Sequence, residues 1–297
     1  FLKFSVTEMT EIISELRKNE SDGIWTSINL LYRYQEENLD KWFEIVPLIK
    51  ETVSNDKLLV NKNSYSQLED YYWEELIKKI LLQDTDIVFA QRITKQIVSF
   101  CMQTEFNYGM EQYVQNILEI LLDKFFVNIW PIIGNAILKN TMAYWHIVGM
   151  IGFKIEFDDA YEEGFKKHVR EKNGILFKGN SQALLNWCDE NKPHAPIKIA
   201  RMLPIMNKDI QNEWHPFTKI FIEKFGSDNK VLSEITANMS TYSWSGSLVP
   251  LLKEELELYK HYENSENNIV QNWAIDNIER LKKWIKNEKN EDEERYL

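Results

Sequence analysis

Glycine and proline are scarce, at 10 and 7 in 297 residues, so loops must be few or short. Cysteine is rarer still, at two. Cys101 and Cys188 are too few for a disulfide framework and lack nearby partners for a metal site. They are expected to be buried free thiols in a reducing compartment. No apolar run is long enough to span a bilayer, and no secretory leader opens the chain. No long Lys/Arg run is present, and the net charge of −11 repels a phosphate backbone. These absences point to a cytoplasmic chain for which membrane, nucleic-acid and small-molecule partners are not expected.

Chemical motifs are missing too. Gly134 to Thr141 lacks the second glycine that a phosphate cradle needs, and reads as helix. The histidines His146, His168, His194, His215 and His261 are scattered, with no His-Glu-x-x-His, so no metal or cofactor is expected. Ser245 and Ser247 flank Gly246, but no base stands beside them and a turn is the better reading. The acidic group Glu156, Asp158, Asp159, Glu162 and Glu163 has the donors for a divalent cation. Asp158, Asp159 and Glu162 would be the residues of a metal-dependent hydrolase, one alternative to a non-catalytic chain; a nucleic-acid-binding helical repeat, for which the charge is wrong, is the other. The basic group from Lys166 to Arg170 follows directly, and local ion pairing explains both.

What is abundant is Leu, Ile, Lys and Glu in helical periodicity, without alternating strands, which predicts an all-α fold. Ser5 and Glu8 form a capping box before Met9, Ile12, Ile13 and Leu16. A second helix carries Ile24, Trp25, Ile28, Leu31 and Tyr32, and a third starts near Leu39. Ser66 and Glu69 would cap a helix through Trp73, Leu76, Ile77 and Ile80. Helices follow from about Ile87 to Met102, Tyr108 to Phe125, Ile129 onward, and Tyr144 to Phe153. From Glu156 to Asn180 the periodicity weakens. The expected organisation is therefore helical repeats over 1–155, an irregular insertion or hinge over 156–180, and helical repeats over 181–297. Later helices are expected at Ile199 to Met206, Trp214 to Phe225 and Val231 to Met239, with a final hairpin from Ser247 to Ile285. Trp25, Trp73, Trp145, Trp187 and Trp273 lie in apolar stripes and read as core. Trp244, beside Tyr242 in a turn, either packs under the hairpin or anchors a partner.

Four prolines share an apolar setting: Val46-Pro47-Leu48, Trp130-Pro131-Ile132, Leu203-Pro204-Ile205 and Val249-Pro250-Leu251. Each precedes a polar turn and an amphipathic helix. Pro47 and Pro131 are 84 residues apart, and Pro204 and Pro250 are 46 apart. Those are about two and one HEAT-size repeats. Pro131 to Pro204, at 73, is out of register and brackets the weak segment. Helix pairs that cannot bury their stripes alone must stack, so the expectation is a HEAT-like α-solenoid of divergent antiparallel pairs.

The run Leu248 to Leu252, a turn, then Val270, Trp273, Ala274, Ile278 and Leu281 resembles a HEAT repeat. Trp130-Pro131, Trp187 to Asn191, Ala200 to Pro204, Trp214-His215-Pro216 and Trp244-Ser245-Gly246-Ser247 resemble a larger pattern. It is similar to the C-terminal helical region of large multidomain bacterial antiphage defence effectors and STAND-type ATPases. The likeness covers about Ile129 to Glu294; residues 1–128 share only a generic helical-repeat character. It implies a region that senses a trigger or holds an assembly through a protein partner or other domains of a longer parent. Catalysis would sit elsewhere in that parent, so no catalytic residue carries over. Tyr242 and Trp244 are the candidate partner anchors, with packing of Trp244 under the hairpin the better reading.

Overall fold

The computed structural model describes residues 4–18, 20–56, 58–59, 67–103, 108–152, 175–177, 180–207, 210, 212–240 and 246–295. Among them the fold is all-helical, with no strand beyond the single bridge Met206–Trp214. Two compact units divide the chain, Phe1–Ile151 and Gly152–Leu297. Among the described residues no helix is long and apolar enough to cross a membrane.

The first unit holds α1 (Val6–Leu16), α2 (Glu20–Glu37), α3 (Trp42–Val53), α4 (Gln67–Gln83), α5 (Ile87–Cys101), α6 (Glu111–Lys139) and α7 (Thr141–Gly152). The Ser5–Glu8 capping box forms in full: the Glu8 amide donates to Ser5 Oγ at 3.2 Å, and the Ser5 amide donates to Glu8 at 2.8 Å. Ser66 lies outside the described residues. Helix α6 runs as two arms because Phe125, at φ −125° and ψ 17°, leaves the helical region. The break expected between two helices is therefore a kink inside one, and Pro131 sits in the second arm. Helix α2 packs on α3 and α4, and α6 packs on α4 and α5. Trp25, Trp73 and Trp130 are buried with the aliphatic stripes. Trp145 is not core. It is 49 % exposed, because the buried face of α7 is Ala143, Tyr144, Ile147, Val148 and Ile151.

The second unit holds α8 (Ser181–Glu190), α9 (His194–Ala200), α10 (Pro216–Phe225), α11 (Asn229–Met239), α12 (Val249–Lys260) and α13 (Asn268–Arg295). Helices α12 and α13 pack together as the expected final hairpin, and α13 continues ten residues past Ile285. Pro216 opens α10, as its missing N–H favours. Around Pro204 the structure corrects the sequence reading. The helix expected from Ile199 to Met206 stops at Ala200, and residues 203–205 leave it without regular structure. Proline disfavours helix in the residue before it and removes a donor. The freed carbonyls are taken up from outside: the Asn238 amide donates to Ala200 at 3.3 Å and Leu203 at 2.9 Å. Thr218 Oγ1 donates to the Pro204 carbonyl.

The same device recurs along the chain. A helix leaves its last carbonyls without intrahelical partners, and glycine-based caps commonly close them. Here long side chains from later helices do so. Gln96 of α5 donates to Val53 and Asn55 beyond α3, Lys124 of α6 to Leu81 and Leu82 of α4, and His146 of α7 bonds Cys101 of α5. In the second unit the donor comes from earlier in the chain: Trp214, ahead of α10, donates to Leu258 in the last turn of α12. Bonds between elements cluster at sequence separations of 41 to 45, and Gln103–Leu59 and Asn116–Glu74 belong to the same set.

Lys50 of α3 ties that helix to the α4–α5 connection, reaching Asp84 at 2.7 Å and Asp86 at 2.8 Å. Asp86 also caps α5, accepting from the Phe89 amide at 3.0 Å. The Lys50 hydrogen bond holds the Asp84 carboxyl below its ordinary range. Burial works against ionisation of Asp86, but Lys50 and the helix amides outweigh it and leave that group low as well. Folded values below the unfolded value of about 3.9 supply stability that is present above that pH. It is lost as pH falls through the folded values. Asp86→Ala is expected to cost about 1–2 kcal/mol at pH 7. Urea unfolding should show the gap between variant and wild type narrowing below about pH 4; a gap that widens in acid would contradict the assignment.

Candidate recognition surface

The residues singled out for chemistry do not form a described site. Asp158, Asp159, Glu162 and the basic group at 166–170 lie outside the described residues, as do Tyr242 and Trp244. Among the described residues no three His, Cys, Asp or Glu side chains are placed to hold a metal ion. Cys101 and Cys188 are free and buried, and burial pushes both thiols up, away from reactive thiolate. Three histidines serve the backbone. His146 and His261 bond the carbonyls of Cys101 and Asn212, and His215 Nδ1 accepts the Phe217 amide at 3.2 Å as the cap of α10.

What the first unit does present is a face built from α2, α4 and the first arm of α6. Helix α4 has one apolar side and a second, mixed side that exposes large apolar residues beside charges. Trp73, Leu76, Ile77 and Ile80 are buried, while Leu68, Tyr71 and Leu82 point to solvent. The positions 68, 71, 75, 78 and 82 follow one another by three or four residues, so they make one stripe along the helix. Tyr32 of α2 stacks on Tyr72 of α4, with ring centroids 4.2 Å apart and an angle of 20°. Tyr71 meets the edge of Tyr32 at 6.1 Å and 63°. Tyr71 is 40 % exposed, so the stack reaches the surface. Toward α6, Asn116 donates to Glu74 at 2.7 Å, which joins the third helix to the face.

Carboxylates stand around the tyrosines. Burial, the hydrogen bond with Tyr71 and the charges of Tyr71, Glu36 and Glu75 all raise the Tyr32 phenol, keeping it neutral. Lys78, the cation of the α4 stripe, lies 2.8 Å from Glu75 and 3.3 Å from Glu74. At the far edge Leu39, Leu82 and Val127 are 64 %, 59 % and 69 % exposed. They recur at intervals of 43 and 45 residues: Leu39 and Leu82 stand where one helix ends and the next begins, and Val127 just past the kink at Phe125. The Lys124 bonds to Leu81 and Leu82, and the Gln91 bond to the Asn128 carbonyl, hold the second and third of these joints together.

Sequence reading placed Tyr32 in a core stripe and passed over Tyr71. The available signal was Leu68, Tyr71 and Leu82, which recur at helical spacing on α4 offset from the stripe that carries Trp73.

Comparisons with protein-family models, with curated proteins and with solved structures find no match for this chain.

Proposed function

We propose that this chain is the non-catalytic recognition or scaffold region of a cytoplasmic bacterial antiviral defence protein. In this reading it is a HEAT-like α-solenoid of antiparallel pairs that binds a protein partner or trigger through its repeat surface. The observation that carries the recognition role is the exposed tyrosine–leucine–carboxylate face of α2, α4 and α6. Interface cores are enriched in tyrosine, and large apolar side chains exposed beside charges suit a contact surface with protein. The repeat architecture is supported by bonds recurring at 41 to 45 residues and by the packing of α4 between α2 and α6. The defence context rests on the sequence resemblance over Ile129 to Glu294.

Photo-crosslinking tests the reading. A benzophenone amino acid in place of Leu68 should trap a defined protein in phage-challenged bacteria. The same group at Lys253, exposed on α12, should trap it several-fold less. Equal labelling at both positions, or none at either, would remove the support for this surface.

A further inference from the structure

Charge and ring geometry narrow the class of partner, on the reading that this face binds protein. We infer that it takes a basic, amphipathic segment of a partner: an arginine or lysine seats against Tyr71 and Tyr32 between Glu36 and Glu75, and neighbouring apolar side chains cover Leu68 and Leu82. Three observations meet here. First, Tyr71 is 40 % exposed and meets Tyr32 edge to face, and the face of an exposed phenol ring attracts a guanidinium or ammonium. Second, two carboxylates on adjacent helices act on the same phenol, so a cation at the stack lies in the field of both. Third, Lys78 already occupies one side of Glu75, while among the described residues Glu36 receives the neutral Gln35 amide at 2.6 Å. A planar guanidinium satisfies both carboxylates with several donors, which an acidic or neutral segment cannot do. The chain's net charge of −11 steers a basic segment toward it from a distance.

The test uses the full chain and a short fluorescent peptide with leucine and arginine one helical turn apart. Its partner probe carries citrulline at each arginine, which keeps the shape and removes the charge. Anisotropy should show the arginine peptide binding about tenfold tighter than the citrulline peptide. Tyr71→Ala, and the pair Glu36→Gln with Glu75→Gln, should each erase most of that difference. The control pair Glu254→Gln with Glu257→Gln, on α12 of the second unit, should change it by less than about twofold. Unchanged melting of every variant establishes that the folds are intact. Equal affinity for both peptides, or an equal loss in the control pair, overturns the inference. So does a homodimer dissolved by Tyr71→Ala, since a second copy would then cover the face. If Leu68 crosslinks a protein whose binding gains nothing from arginine, this inference falls and protein recognition stands; if nothing crosslinks, both fall.

Discussion

Trp214→Ala is expected to lower the stability of the second unit by about 3–5 kcal/mol. The ring is 1 % exposed and centres an aromatic group in that unit. Tyr259 meets it edge-on at 6.2 Å, Tyr262 lies at 5.8 Å and Trp273 at 6.2 Å. Truncation opens a cavity among rigid rings that have little freedom to collapse into it. It also strips the Leu258 carbonyl of its 2.7 Å donor in a buried setting. Trp214→Phe separates the two effects. It keeps most of the ring volume and loses the donor, so about 1–3 kcal/mol is expected. Hydrogen exchange of the α10–α13 amides reads both variants without depending on the first unit. A loss below about 1 kcal/mol for the alanine variant would mean that the group is not tightly packed.

Two glycines should respond to alanine with opposite signs. Gly226 ends α10 at φ −68°, where alanine is at ease, so the backbone raises no objection. Space does. A Cβ there would lie 2.4 Å from the Ile222 carbonyl oxygen and 2.8 Å from Val270 Cγ2 of α13. Relieving that contact moves one helix end off the other, and Gly226→Ala should cost about 1–3 kcal/mol. Gly149 lies inside α7, and a Cβ there meets only Glu111 Oε1 at 3.8 Å. Gly149→Ala should therefore gain about 0.5–1 kcal/mol from helix propensity alone. Urea midpoints for the two variants are the measurement. Stabilisation by Gly226→Ala would show that the α10–α13 approach is looser than drawn.

Much of the helical order was legible because each signal was local. Ser5 with Glu8, Pro216 and the stripes of α3, α5 and α12 announce themselves within a few residues. Pro204 misled because its apolar neighbours keep a helical period that its own ring interrupts. The kink at Phe125 has no proline or glycine to announce it, so it reads as a gap between two helices. The tyrosine face was hidden for another reason. Tyr32 and Tyr71 are 39 residues apart, and only the packing of α2 on α4 brings them together. The side chains that close helix ends were equally silent, since Gln96, Lys124 and His146 look like ordinary polar positions of their own helices.

That last feature decides where damage falls. When Gln96 finishes the end of α3, an altered codon in α5 is felt as fraying two helices upstream, in a segment whose own sequence is intact. The same holds for Lys124 and the end of α4, and for His146 and the end of α5. Tolerance to substitution here is therefore a property of neighbours. None of α3, α4 and α5 can be lifted out, or transplanted, with its C-terminal end complete.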